Sequence, residues 1–402
     1  MTSPVTVDAT TNTLQGHLGG LLSLALASCL AVTTEMLPVG LLPVIGASFH
    51  VADSVTGLLV SLYAVMVAAL SVPLTLVTAR FARKPLLLTT IVGYALSNTL
   101  VSVAPTFAVL AVGRTVGGVT HALFFSLCIG YVPRLVSTAQ VGRALAIATG
   151  GATAGFIVGV PLSTSIGTAF GWRTAFGALA ALSLATLVLV TKVLPGVSNE
   201  RPPLPVQQSG ARPALGAVVA SNSLTYLGQF TMYTFVSLMF LVAGARPSFV
   251  GPLLLLCGVC GLAGLGYVAR TLDHRPRRTT FVILSIVIAA VLALGAGLPL
   301  LVPVIVAAAV WNGAFGGVPS IYQACAVRTH AVSPELAGAW VNASANSGIA
   351  GGAAIGAALL PVTGLSGLPW VSAALIALGL AVSMAARRAF PSRVQPDARC
   401  DG

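Results

Sequence analysis

Residues 54–84 read SVTGLLVSLYAVMVAALSVPLTLVTARFARK: no charged side chain from 54 to 79, then Arg80, Arg83 and Lys84 in quick succession. An apolar run needs about 20 residues to cross the hydrocarbon core of a bilayer as a helix. The basic cluster behind it marks the cytoplasmic end of such a helix.

The same unit recurs along the chain. Stretches without Asp, Glu, Lys or Arg cover 9–34, 36–52, 54–79, 85–113, 115–133, 144–172, 174–191, 213–245, 247–269, 279–327 and 336–386. Dividing the longest at Pro105, Gly297–Pro299 and Pro361–Pro369, and joining the first two across Glu35, predicts about twelve helices. Their spans are 18–46, 54–78, 86–104, 107–131, 144–168, 174–194, 214–241, 249–270, 281–298, 301–326, 338–360 and 369–388.

Composition agrees. Of 402 residues, 56% are hydrophobic and 7% charged, against roughly 25% charged in a soluble domain. The net charge of +12 raises nucleic acid as a partner, but the positions of the basic residues exclude it. With both termini cytoplasmic, connectors and tails on that side hold 17 of the 20 Lys and Arg. Arg173 and Arg246 fall outside and Arg114 lies within a helix. The expectation is a multi-pass protein of the cell membrane, acting as a monomer in the lipid bilayer. The N-terminus lacks the basic region of a signal peptide, so the first helix is expected to be retained.

The predicted fold is an all-α membrane protein with two six-helix pseudo-symmetric halves. TARFARK (78–84) has a counterpart in VARTLDHRPRR (268–278), and RTVGGV (114–119) in GAFGGV (313–318). Parallel halves of this kind handle substrate between them near the midplane. The expected layout is an N-terminal tail (1–17), a first half (18–194), a Pro-rich linker (195–213), a second half (214–388) and a C-terminal tail (389–402).

Glu35 is the one acidic residue inside any predicted helix. A charge there is costly, so it should face the protein interior or a water-filled cavity, where it can take and release a proton. The alternative is a structural, hydrogen-bonding glutamate. Arg114 and His121, seven apart in the fourth helix, share a face, with Gly117 and Gly118 between them. Arg114 could instead anchor backbone carbonyls, and His121 could serve packing. Gly151, Gly155 and Gly159 make a close-packing groove on the fifth helix, and Pro161 bends it. Asn222, Tyr226, Gln229 and Tyr233 form a polar stripe on the seventh helix, continued by Asn342 and Asn346 on the eleventh and by Trp311, Asn312, Tyr322 and Gln323 on the tenth. Such a stripe is either interhelical glue or the wall of a cavity suited to neutral or amphipathic molecules.

Together, TTEMLPVGLLP (33–43), ARFARKPLLL (79–88), GRTVGGVTHA (113–122), GGATAGFIVGVPL (150–162) and GWRTAF (171–176) resemble the major facilitator superfamily, in particular its twelve-helix drug/proton antiporter group with the sugar-efflux-like branch. The resemblance implies proton transfer involving an acidic residue in the first helix and the arginine of the fourth, an antiporter signature in the fifth, and gating by the loop carrying Arg80 and Arg83. Ala79 departs from that loop's usual aspartate.

The expected function is export of a small organic molecule in exchange for protons. The alternative is sugar or metabolite uptake, or facilitated transport, by the same fold. The chain has no phosphate-binding loop, no zinc-like ligand cluster and no cofactor motif, so an enzyme is not expected. CGVC (257–260) raises a membrane redox motif and reads more simply as helix packing. A non-transporting sensor on a transporter scaffold is the remaining reading.

Overall fold

The computed structural model describes residues 16–136, 140–197 and 211–392. The outer parts of both expected tails and the linker core, 198–210, lie outside the described residues. The first six spans are α1 (Leu18–Phe49), α2 (Asp53–Val77), α3 (Arg83–Ser102), α4 (Phe107–Tyr131), α5 (Val141–Ala154) continued through a π-turn (Gly155–Gly159) into α6 (Val160–Phe170), and α7 (Trp172–Val193). The last six are α8 (Ala211–Tyr233) with α9 (Val236–Val242), α10 (Val250–Thr271), α11 (Pro276–Gly297), α12 (Leu301–Phe315) with α13 (Val318–Arg328), and the two arms of α14 (Pro334–Ala385).

Eleven segments among the described residues are long and apolar enough to cross a membrane. The last, Leu336–Ala385, has 50 residues; a straight helix of that length would run about 75 Å, more than twice the bilayer core. Gly364 breaks it with φ 64° and ψ −171°, a conformation open to glycine alone. Eleven segments thus give twelve crossings.

Three spans expected to be continuous are interrupted. Pro161 has no N–H for the Ile157 carbonyl, and the helix there widens so that the Val160 N–H bonds to the Gly155 carbonyl. The tenth span breaks at Gly316 and Gly317, just ahead of Pro319. The seventh breaks at Thr234 and Phe235 without proline or glycine. Its cause is tertiary, because the buried Phe235 ring wedges against Gly57 and Gly356 from two other helices.

By contrast, α1 runs unbroken through Pro38 and Pro43. Each proline deprives the carbonyl four residues earlier of its helical donor, here Thr34 and Val39. The Arg114 guanidinium donates to the Thr34 carbonyl at 2.6 Å and to that of Glu35 at 2.8 Å. The Ser237 hydroxyl, from the other half, donates to the Val39 carbonyl at 2.9 Å. Both orphaned acceptors are therefore satisfied by other helices, as a low-dielectric interior requires.

The glycines of the fifth span explain its fit to α1. A Cβ on Gly151 would lie 1.8 Å from the Ala25 carbonyl, on Gly155 2.5 Å from that of Cys29, and on Gly159 2.0 Å from Thr33 Oγ1. The two helices meet rung by rung, four residues apart on each.

Two apolar cores organise the bundle. One contains only residues of the first half, from Leu21 to Leu194. The other fills the second half and takes in Met36, Val39, Leu42, Val60, Ala64 and Val160 at the seam. Across that seam α2 packs on α14, with Ser61 donating to the Ala350 carbonyl at 2.9 Å and Asn342 to Ser71 at 3.5 Å. On the opposite side α10 packs on α6 and the π-turn. Beyond the π-turn, α5 and α10 both line the space between the halves.

Two outcomes test this packing. Gly151→Ala drives a methyl into the α1 backbone and should cost about 1–3 kcal/mol, read as a lower melting temperature in detergent, whereas Gly150→Ala, with open space around it, should melt like the parent. Ser237→Ala strips the Val39 carbonyl of its donor and should cost about 1 kcal/mol; Ser237→Thr should restore the parent melting temperature.

Candidate functional site

The space between the halves is a cavity of about 820 Å³, within the range that holds one small organic molecule. Its wall runs from Glu35 and His121, deep in the bundle, to Arg328 at the end that carries the basic loops.

The first-half wall is built around α1 and α4. Glu35 is 7% exposed, and its Oε1 has no hydrogen-bond partner. Its Oε2 lies 3.7 Å from His121 Nε2. The other imidazole nitrogen, Nδ1, is 3.0 Å from the Tyr63 hydroxyl. Arg114 is 1% exposed and stands behind the wall. It meets the two α1 carbonyls, not the Glu35 carboxylate, and its guanidinium rests 4.2 Å from the centre of the Tyr63 ring. Glu35 and His121 thus share the cavity surface, and Arg114 braces the helix that presents Glu35.

The opposite wall comes from the second half. Tyr226 stacks on Phe230 with centroids 6.2 Å apart and meets the edge of Phe315 at 5.4 Å. Trp311 donates its indole N–H to Gln229 Oε1 at 2.6 Å, which leaves the amide nitrogen of Gln229 as the donor end. Asn346 donates to Asn342 Oδ1 at 3.1 Å, and its own Oδ1 has no partner. Asn312 turns its amide back to the Ala308 carbonyl at 2.9 Å.

Of the residues expected to bind substrate, Tyr226, Gln229, Asn312, Asn342 and Asn346 line the cavity. Asn222 and Tyr233 stand outside it. Asn222 donates to the Val341 carbonyl and Ser344 Oγ and joins α8 to α14. Tyr233 packs between Phe156 and Trp311 and supports the wall from behind. Tyr322 is likewise buried, in a hydroxyl cluster with Ser221 and Thr225. Reasoning from polar stripes passed over the apolar contributors Met36, Phe125 and Phe156, and over Cys257. Phe125, one turn beyond His121, could have been found from helical spacing, whereas nothing in its neighbourhood marks Phe156.

The basic loop between α2 and α3 lies away from the cavity. Arg80 closes a single 3₁₀ turn and stacks near Phe81 at 5.0 Å, and Arg83 opens α3. Beside Arg83, Lys84 donates to the Thr191 carbonyl at 3.0 Å and ties α3 to α7. In the corresponding loop of the second half, Asp273 pairs with Arg328. At the other end Trp172 donates to Ser48 at 2.9 Å and Arg173 to the Ala104 carbonyl at 2.9 Å.

Known structures share this architecture. A bacterial homologue of the human lysosomal transporter Spinster, solved inward-facing and occupied, superposes with TM-score 0.76 at 15% identity, covering 94% of this chain and 98% of the other. The D-xylose-proton symporter gives 0.70 at 14%, covering 94% and 97%. The human organic anion transporter MFSD10 (TETRAN) gives 0.69 at 17%, covering 91% and 98%. At such identities the likeness is one of fold. The sequence profile of the Major Facilitator Superfamily matches residues 24–338, more than half the chain, and with twelve crossings around a central cavity this protein belongs to that superfamily of membrane transporters.

Proposed function

We propose that the protein is a secondary active transporter that exports a small organic molecule in exchange for protons by alternating access. The observation that carries this reading is Glu35, the one acidic side chain among the cavity-lining residues, with Oε1 unpartnered and an aromatic and amide wall across from it. A buried carboxyl is costly as an ion and cheap as an acid, so its protonation can be traded against an occupant of the same space.

The cavity chemistry selects the cargo. Phe125, Phe156, Tyr226 and Phe315 give flat apolar surface, Gln229 offers a donor, and Glu35 and Asn346 bring a carboxyl and an amide to the wall. An uncharged or amphipathic aromatic compound bearing hydroxyl, amine or amide N–H groups fits this set, as many antibiotics do. With both termini cytoplasmic and one monomer in the cell membrane, the cavity faces the cytoplasm. There the cargo enters and Glu35 gives its proton to cytoplasmic water. The halves, 18–194 and 214–388, rock about the seam, the cargo leaves outside, and a proton from the outer water returns to Glu35 before the halves rock back. The linker 195–213 joins the halves in sequence, and the loop of Arg80 and Arg83 is the gating element between α2 and α3.

A second reading has its own observation. Gln229, Asn312, Gln323, Asn342 and Asn346 bring five amides to one cavity, a set that also suits a polyhydroxylated solute, and the fold is shared with a xylose-proton symporter. Uptake of a sugar or metabolite is therefore the alternative.

Two experiments separate these outcomes. In a host without its own pumps, cells producing the protein should resist some members of a panel of aromatic antibiotics and hold them at low internal concentration until a protonophore is added; protonophore-sensitive accumulation of a solute would establish uptake instead. In proteoliposomes, Glu35→Gln should abolish proton movement driven by the antibiotic so identified while antibiotic-for-antibiotic exchange continues. Intact proton movement in that variant would remove Glu35 as the coupling site.

A further inference from the structure

Tyr63 is fully buried on α2, outside the cavity, and is held from three directions. Its ring lies beneath the Arg114 guanidinium at 4.2 Å. Its hydroxyl is 3.0 Å from His121 Nδ1, and the two rings meet edge to face at 5.6 Å. Its backbone nests against the glycine pair of α4: a Cβ on Gly118 would lie 2.5 Å from the Tyr63 carbonyl, and one on Gly117 2.8 Å from the Tyr63 ring. The pair thus admits α2 at the height where Tyr63 reaches His121.

From this geometry we infer that Tyr63 is a positioning residue for the proton site, fixing the His121 ring and its tautomer so that an N–H at Nε2 faces the Glu35 carboxylate. The inference rests on the proton-coupled reading of Glu35. The chain of donors and acceptors follows from the ionised end. A carboxylate only accepts, so at 3.7 Å the field of Glu35 favours a hydrogen at Nε2 over a lone pair there, and in neutral imidazole Nδ1 is then the acceptor. The tyrosine O–H supplies the donor that Nδ1 requires. Which imidazole nitrogen is protonated is set by the hydrogen bond at the other. A proton arriving from the cavity adds to the Glu35 carboxylate, turning it into a carboxylic acid, and leaves from that same group to the cavity; His121 stays neutral throughout. The ionisable groups grouped around His121 are Glu35 on α1, Tyr63 on α2, Tyr94 on α3 with its ring 6.3 Å away, and Arg114 on the same helix.

The test reads Glu35 protonation without a substrate. Dicyclohexylcarbodiimide labels protonated carboxyls in apolar surroundings, and mass spectrometry of the intact purified protein locates the label. At mildly alkaline pH, Tyr63→Phe, which keeps the ring beneath Arg114, should speed Glu35 labelling about tenfold through loss of one buried hydrogen bond. His121→Asn should do the same, and the double variant should label no faster than either single one, because the two residues act as one unit. Parent-like labelling in Tyr63→Phe, or additive effects in the double variant, would overturn the assignment. A parent protein whose Glu35 takes no label at any pH would overturn the proton-site reading and this assignment with it, whereas a labelled parent with an unaffected Tyr63→Phe would overturn only the role of Tyr63.

Discussion

A carbonyl that loses its helical donor inside a bilayer must find another, and the first span carries two such carbonyls within six residues of each other. Pro38 and Pro43 leave those of Thr34 and Val39 to be met by other helices. Arg114 from the fourth span answers one and Ser237 from the second half answers the other. The proline pair thereby decides where α1 is braced within its own half and where it touches the opposite half. Glu35 sits at the first of these points, so the backbone arrangement that places its carboxyl in the cavity is the one that makes Arg114 necessary.

This changes the meaning of a buried arginine near a buried glutamate. Two pairings were open to Arg114 from the sequence, one with the acidic residue of the first helix in proton transfer and one with backbone carbonyls. The observed one is between guanidinium and backbone, with an aromatic face as second support. A buried cation bound to carbonyl dipoles and a π-face is held without neutralising the carboxyl beside it. That leaves Glu35 free to answer to the cavity and to His121.

Much of the fold could be read in advance, because crossings announce themselves by the absence of charge and connectors by basic residues. Gly151, Gly155 and Gly159 were legible for a related reason: a rung spacing of four has few other uses in a helix. Glu35 was legible as the exception in an apolar run. Tyr63 was not, since one tyrosine in an apolar helix carries no mark of what it meets, and its role arises from α4 packing against α2. Asn222 misled for the opposite reason. It shares a helical face with Gln229, but that face is long enough to serve the cavity at one height and the contact with α14 at another. The break at Phe235 escaped as well, because its cause lies in Gly57 and Gly356 on distant parts of the chain.

The glycine rungs between the fifth span and α1 constrain how the first half can move. With no side chain between the two backbones at Ala25 and Cys29, slipping one helix along the other would break these rungs, and only a whole-turn step of about 5.4 Å would bring glycines opposite them again. Joint tilting keeps the rungs, so they hold the two helices together as one unit. Glu35, two residues beyond the rung at Thr33, is thereby kept at a fixed height along the fifth span.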